Sequence, residues 1–242
     1  MRPMSKGDSN RAHTVPGELM FRAGAFALPD LLVVVAVISA LAAVIAPSIA
    51  AARSKSSLAR CKANLAQVSR AILMYADENQ KTFPIQNPSP PTGVWWWYKE
   101  QVKRYAGLTG KSSANDKVFA CPSDRGYEEG VTPFCESARF DYGSYCFNGV
   151  NLPGVPNIAG KDAGSVRDPQ RTLLVMEWTA HAPLSWHKSK TANENAPFYN
   201  NAESVVAFVD GHVSFSRIYY DGINAAYTRD PITGYDYKYS PD

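Results

Sequence analysis

A lone carboxylate stands at the start of a long apolar stretch. Asp30 directly precedes Leu31–Ala52, a run of 22 residues without a charged side chain. A carboxylate at the end of such a segment is costly in lipid unless it meets a cation. The alternative is an interfacial acid that the positive N-terminus of a helix stabilises. Asp30 is therefore a candidate for a specific charge pairing.

A second group with chemical potential is the Asp210-Gly211-His212 sequence. Asp-Gly between the strand-like runs Ser204–Val209 and His212–Ser216 is a strong signal for a β-hairpin turn. We therefore expect Asp210 to form the turn and His212 to point outward. A tethered hydrolase that uses Asp210 with His212 or with His187 is the enzymatic alternative.

The cysteines are the third group. The chain has four, and none forms a CxxC pair, so no zinc spacing is evident. An even count suits two disulfides in an oxidising compartment, with three possible pairings, and free buried thiols are the alternative. Asp124 is a calcium candidate, although no dense Asp/Asn/Gly loop accompanies it; no other metal or cofactor is expected. The disulfide candidates are Cys61, Cys121, Cys135 and Cys146.

One long helix is predicted to carry these N-terminal residues. The run Leu31–Ala52 matches the roughly 20 apolar residues that a helix needs to cross a bilayer. Beyond it, apolar residues recur at spacings of three and four, which indicates one face of a helix. The predicted helix spans 28–79 and is about 75 Å long, with Pro47 as a kink or a break. The predicted buried face consists of Leu58, Cys61, Leu65, Val68, Ile72 and Tyr75.

The distribution of charge argues against nucleic-acid binding. Residues 1–25 hold four basic and two acidic side chains, and a second basic cluster lies at residues 53–70. The chain from residue 76 onward has 16 basic and 19 acidic residues. Positive charge thus flanks the apolar helix rather than the folded domain, which favours contact with lipid headgroups or other subunits. Charge alone leaves the orientation in the membrane open.

The remainder predicts a small sheet and many loops. We expect a strand that ends in a turn at Val118–Asp124 and a strand at Arg171–Trp178, in addition to the hairpin, and a short helix at Trp95–Tyr105. The aromatic cluster Trp95–Tyr98 is expected to anchor that short helix on the long one; a carbohydrate or partner surface is the alternative. The fold class is α+β, with the long helix packed on a small antiparallel sheet.

The N-terminal segment resembles type IV prepilins and type II secretion pseudopilins. In that family a basic leader precedes Phe-Thr-Leu-Ile-Glu and an apolar helix; here the sequence is Phe26-Ala-Leu-Pro-Asp30, with Ala25 instead of Gly before it. Further similarity to a planctomycete-type subgroup lies in Cys61–Leu65, in Phe119–Asp124 and in Phe208–Val213 with its Asp-Gly-His-Val signature. Asn200 stands where that subgroup often has His.

The resemblance implies a function and a domain organisation. A prepilin peptidase would cut between Ala25 and Phe26 and methylate the new amine. The assembly residues would be Asp30, which would set subunit register, and Pro47, which falls where pilin helices often carry a proline. The organisation is a leader at 1–25, a transmembrane and assembly helix at 26–52, its amphipathic continuation at 53–80 and a soluble pilin-like domain at 81–242.

The implied protein is a pseudopilin-like subunit and not an enzyme. It would be a single-pass protein of the inner membrane with a cytoplasmic N-terminus and a periplasmic or extracellular domain. It would assemble with other pilin-like subunits into a pseudopilus or surface filament. A membrane-anchored module that binds glycan or a secreted protein without polymerising is the alternative.

Overall fold

The computed structural model describes residues 28–86, 97–127, 131–149, 155–180, 184–188, 201–220 and 230–242. Within these ranges the architecture is α+β, with one long N-terminal helix and a four-stranded antiparallel sheet. The chain divides into two compact units, residues 1–48 and residues 49–242. The predicted leader, residues 1–25, lies outside the described residues.

Helix α1 spans Leu28–Glu78, as the sequence predicts, and it continues through Pro47 without a break. Proline removes one backbone hydrogen bond inside a helix. The flanking segments are rich in alanine and leucine, which favour the helix, and no glycine occurs between Ala25 and Gly93. The helix ends where Gln80 and Lys81 adopt left-handed backbone conformations, with φ of 56° and 61°.

The rear half of α1 lies in the core of the second unit. The predicted face is confirmed, with Leu58 and Tyr75 at its partly buried margins. Since this half of the helix is amphipathic, burial of its apolar stripe is the main source of its stability. The buried residues are Cys61, Leu65, Val68, Ser69, Ala71, Ile72 and Ala76.

The sheet is a meander in the order β1-β2-β3-β4, with every neighbouring pair antiparallel. The predicted hairpin is confirmed: β3 and β4 pair from Ala202↔Ile218 to Ala207↔Val213. Its turn includes Gly211 at φ 90°, a conformation that glycine adopts without steric cost. The strands are β1 Tyr145–Phe147, β2 Leu173–Glu177, β3 Ala202–Phe208 and β4 Val213–Ile218.

In the middle of the chain, one predicted strand is absent and one strand was not predicted. The segment Val118–Asp124 is not a strand, because a 3-10 helix covers Lys117–Phe119, but the predicted turn at its end is present. Its backbone amides bond locally, from Phe119 to Asp116 and from Ala120 to Lys117, so they do not join the sheet. Strand β1, by contrast, was not predicted, because three residues are too few to show periodicity.

The predicted short helix is present in part. Helix α2 covers Tyr98–Val102 and continues as a 3-10 helix at Lys103–Ala106; Trp95 and Trp96 lie outside the described residues. Tyr98 anchors α2 on the sheet, since its hydroxyl donates to the carbonyl of Tyr145 at 3.1 Å. The remaining 3-10 helices are Phe134–Glu136, Ala138–Phe140, Ala163–Ser165 and Trp178–Ala180.

Strand β2 is buried at all five positions, so both faces of the sheet are covered at its centre. The C-terminal segment contributes to this cover. Lys238 accepts a hydrogen bond from the amide of Leu173 and donates its own amide to Arg171. Tyr237 and Tyr239 are both 1% exposed beside it.

Candidate functional site

The front half of α1 presents a continuous apolar surface. Twelve large apolar side chains between Leu28 and Ile49 are 46% to 74% exposed. A helix that is apolar on all sides is stable where lipid or other apolar helices surround it. Exposed surface of this extent marks an interaction region. The twelve are Leu28, Leu31, Leu32, Val33, Val34, Val35, Val37, Ile38, Leu41, Val44, Ile45 and Ile49.

By length and composition, α1 is long and apolar enough to cross a membrane. None of its most apolar window is buried, unlike the core helix of a soluble protein. A signal sequence near an N-terminus passes the same test of length and composition. On these two properties, α1 is compatible with a membrane anchor.

The residues predicted to govern assembly have clear positions. Asp30 is exposed and lies in the first turn of α1, where the positive end of the helix dipole stabilises a carboxylate. Pro47 lies inside the continuous helix. Ala25 and Phe26, the predicted processing site, lie outside the described residues.

A second site is a buried cluster of two thiols, a carboxylate and an imidazole. Oε1 of Glu177 lies 2.9 Å from Sγ of Cys61 and 3.3 Å from Sγ of Cys121. Nε2 of His187 lies 2.9 Å from the same oxygen and 3.6 Å from Sγ of Cys121. All four ligand-type atoms lie within 4.8 Å of one another. We call these four residues the thiol–carboxylate cluster.

Four separate segments supply the cluster. Cys61 comes from the rear half of α1, Cys121 follows the 3-10 helix Lys117–Phe119, Glu177 ends β2, and His187 lies in the segment 184–188. The arrangement therefore joins the helix to the sheet and to two loops.

Hydrogen bonds with residues outside the cluster fix the positions of Cys121 and Glu177. Asn64, one turn beyond Cys61 on α1, donates to the carbonyls of Lys117 and Ala120, and so holds the loop of Cys121 against the helix. The second carboxylate oxygen of Glu177 accepts the backbone amide of Val205 at 2.7 Å.

Two further contacts complete the surroundings of the cluster. The Tyr145 hydroxyl lies 3.2 Å from Sγ of Cys61. Arg125 donates to the carbonyls of Ser185 and Trp186, which positions the loop that carries His187.

Burial and the mutual contacts of the four side chains together determine the electrostatics of the cluster. The side chains of Glu177 and His187 are 0% and 2% exposed. Burial, followed by the bond to Cys121 and the charge of Glu177, holds the pKa of Cys61 well above its usual range. Burial lowers the pKa of His187, but the contacts with Cys121 and Glu177 outweigh it and raise that pKa to about 10.

All four predicted disulfide candidates are free thiols in this structure, which is the alternative that the sequence left open. Cys61 and Cys121 belong to the thiol–carboxylate cluster. Cys146 is fully buried. Cys135 is half-buried, and burial together with the Asp124 carboxylate raises its pKa to about 12.

Asp124, the calcium candidate, binds protein donors instead. Its Oδ1 accepts the amides of Gly126 and Phe134, and its Oδ2 accepts the amide of Cys135 and the hydroxyl of Ser144. Both oxygens are thus directed into the loop and not presented to a cation. Burial raises the pKa of Asp124, although the four donors act in the opposite direction.

Asp210 lies in the hairpin turn, as predicted; His212 is exposed, as predicted, but it precedes β4 instead of beginning that strand. Oδ1 of Asp210 accepts the backbone amide of His212 and lies 2.6 Å from its Nδ1. The imidazole stacks on Phe208 at 4.2 Å between ring centroids. Both residues line a groove of about 660 Å³ together with Phe215 and Tyr235. His187 belongs to the thiol–carboxylate cluster, so the two histidines of the hydrolase alternative serve different sites.

Sequence reasoning did not find the thiol–carboxylate cluster, because its members are 60, 56 and 10 positions apart and match no metal-binding spacing. Two signals were nonetheless present. Cys61 lies on the apolar face of the amphipathic helix, and Glu177 is the single charge in the apolar run Leu173–Trp178. A charge in such a position is almost never fully buried unless it is paired.

Comparisons of the chain with protein-family models, with curated proteins and with solved structures find no match.

Proposed function

We propose that this chain is a pilin-like subunit that is anchored in the inner membrane by the front half of α1 and assembles there with other subunits. One observation carries the proposal. A single helix exposes apolar side chains over its front half and buries its rear half in the core of a folded domain. Such a division suits a protein whose first half has lipid or neighbouring helices as its environment.

The N-terminal sequence supports the same function. Phe26 and Asp30 have the spacing of the first mature residue and the acidic residue in the pilin family. A prepilin peptidase cuts before Phe26 and methylates its amine, so the protein is the substrate of an enzyme. The carboxylate of Asp30 then pairs with the amine of a neighbouring subunit, since an unpaired charge in the membrane is costly.

The proposed topology follows from this processing. The leader stays in the cytoplasm, and the domain from residue 81 onward faces the periplasm or the exterior. Assembly into a pseudopilus or surface filament is driven by packing of apolar helices, with Asp30 restricting the register.

Cysteine crosslinking in the membrane tests assembly. Leu41, 58% exposed on α1, is replaced by cysteine in a chain that also carries Cys135→Ser, and cells that process the protein are treated with a thiol crosslinker. We expect dimers and higher ladders. The matched control adds Asp30→Asn, which keeps the size of the side chain and removes its charge, and should lower the crosslinked fraction about tenfold or more.

The outcomes separate the alternatives. Absence of crosslinks at Leu41→Cys, with the chain present in the membrane, would identify a non-polymerising anchored module. Equal crosslinking with and without the charge of Asp30 would contradict its role in register.

A further inference from the structure

We infer that the thiol–carboxylate cluster, Cys61, Cys121, Glu177 and His187, is a structural zinc site that fastens the rear half of α1 to the sheet. The inference rests on the geometry of the second unit and is independent of filament assembly. Four observations support it: the identity of the four donors, the distances between them, their burial and the groups around them.

The separations are close to those of a tetrahedral site. Zinc binds sulfur, nitrogen and oxygen at about 2.0–2.3 Å, which places neighbouring ligand atoms of a tetrahedron roughly 3.3–3.8 Å apart. The two contacts of Cys121, at 3.3 and 3.6 Å, lie in this range. The contacts of Glu177 with Cys61 and His187, both 2.9 Å, are shorter, and every pair of ligand atoms lies within 4.8 Å. Outward shifts of a few tenths of an ångström at Glu177 therefore open the centre to an ion.

The donors select the metal. Two thiolates with one imidazole and one carboxylate form a mixed soft and borderline set, which suits zinc, whereas calcium and magnesium require oxygen ligands. Four protein ligands and nearly complete burial are typical of structural zinc sites, because catalytic sites keep one position for water. The site therefore predicts a stabilising role and not a reaction.

The groups around the cluster fit a charged centre. Zinc takes the place of the protons on the two thiols and on Nε2 of His187. These protons leave to solvent, and the neutral imidazole keeps its remaining proton on Nδ1. The two thiolates and the carboxylate then give the occupied site one net negative charge. The amide of Val205 on Glu177 and the hydroxyl of Tyr145 beside Cys61 are donors that offset it. Nδ1 of His187 is buried without a hydrogen-bond partner among the described residues, so the outer support of the site comes from Val205 and Tyr145 and not from a partner of the imidazole.

Occupation by a metal also explains why four ionisable groups converge in a core. Burial of a carboxylate and an imidazole beside two thiols carries a desolvation cost that their mutual hydrogen bonds repay only in part. Metal coordination offsets this cost, and in structural zinc sites the binding free energy contributes directly to folding. Since Cys61 lies on α1 and Glu177 on β2, the ion adds a bond between the two main elements.

Zinc content of the full chain provides the test. The protein is purified in detergent under reducing conditions without a polyhistidine tag, stripped with a chelator, and reloaded with Zn²⁺ or with Co²⁺ as a spectroscopic probe. We expect one ion per chain, a tetrahedral Co²⁺ spectrum with sulfur charge-transfer bands, and a higher Tm with zinc than without it.

Matched variants locate the ion. Cys121→Ser and the isosteric Glu177→Gln should weaken zinc binding at least tenfold, while Cys135→Ser and His212→Ala, which alter a cysteine and a histidine outside the cluster, should retain full loading. Circular dichroism of each variant shows whether it is folded. Because Co²⁺ titration of the stripped wild type is read on native ligands, the test holds even where a ligand variant fails to fold.

Three results would overturn the inference. The first is wild-type protein that takes up less than a stoichiometric ion or gives an octahedral Co²⁺ spectrum. The second is equal loss of zinc in the two control variants. The third is a Cys61–Cys121 disulfide in protein isolated from its native compartment, because an oxidised pair supplies no thiolates.

Discussion

At the scale of single residues, Asp124 illustrates how a buried acid can be structural. Its four hydrogen-bond donors come from backbone amides and one hydroxyl of the loop that it organises. The sequence made Asp124 a calcium candidate, but it does not show whether hydrogen-bond donors or a cation face the carboxylate. That distinction depends on the positions that the tertiary fold gives to the four donor residues, Gly126, Phe134, Cys135 and Ser144.

Replacement of Asp124 by asparagine is expected to lower the free energy of unfolding by about 2 kcal/mol. The NH₂ group of the asparagine side chain takes the place of one carboxylate oxygen, and it cannot accept the hydrogen bonds that this oxygen accepts from buried donors. The measurement is urea unfolding of the full chain in detergent. The control is Asp162→Asn, an exposed residue that also accepts a local amide, where we expect less than about 0.5 kcal/mol. Equal losses at both positions would contradict the structural role of Asp124.

Lys99 is a second buried charge whose partners the structure identifies. Its ammonium lies 3.0 Å from Asp116 and donates to the carbonyl of Asp141 at 2.6 Å, and the residue is 1% exposed. Burial raises the pKa of Asp116, but the hydrogen bond from Lys99 and the other donors outweigh it, so the pKa is lowered overall.

Lys99→Met is expected to destabilise the fold by about 3 kcal/mol, since it leaves a carboxylate without its partner. The pH dependence has a defined sign. A lowered pKa stabilises the native state above the unfolded value of about 3.9, and this contribution is lost as the pH falls through the native value. The difference from wild type in urea unfolding should therefore shrink below about pH 4. The control Lys111→Met, at an exposed position, should change little at any pH.

At the scale of elements, the long elements with clear sequence patterns were predicted correctly and the shortest ones were not. Helix α1 was predicted at 28–79 and observed at Leu28–Glu78, because fifty residues of composition and periodicity agree. The β3–β4 hairpin was predicted from its Asp-Gly turn. Strand β1 and the 3-10 helix at Lys117–Phe119 were missed, since three-residue elements depend on tertiary contacts rather than on local pattern.

The thiol–carboxylate cluster shows the limit of sequence patterns more sharply. The spacing rules for zinc describe ligands that lie on one local loop or hairpin. Here α1 and β2 must first pack before Cys61 and Glu177 meet. The site is therefore a consequence of the tertiary fold, and only the unusual placement of each residue was visible beforehand.

Packing of α1 on the sheet is expected to provide much of the domain's stability. Leu65 is 0% exposed in the core, whereas Met74 is 49% exposed on the same helix. Leu65→Ala should cost about 2–5 kcal/mol through lost burial and a residual cavity, and Met74→Ala less than about 0.5 kcal/mol. Denaturant unfolding measures both. A small effect at Leu65 would mean that the helix is not held by this face.

At the scale of the whole molecule, the chain consists of two compact units with different surfaces. The front half of α1 exposes apolar side chains, while the unit from residue 49 onward has its own core. The proposed subunit uses the first for anchoring and assembly and the second for display outside the cytoplasm. In the proposed function, processing before Phe26 would create the amine with which Asp30 pairs.

Mass spectrometry of the N-terminus is the most direct test of this account. The protein is extracted with detergent from the membranes of the cells that make it, and its N-terminal peptide is sequenced. The account predicts a mature chain that begins at N-methylated Phe26 and is found in the membrane fraction. A chain that keeps residues 1–25 in the membrane, or one that is released into water without detergent, would contradict it.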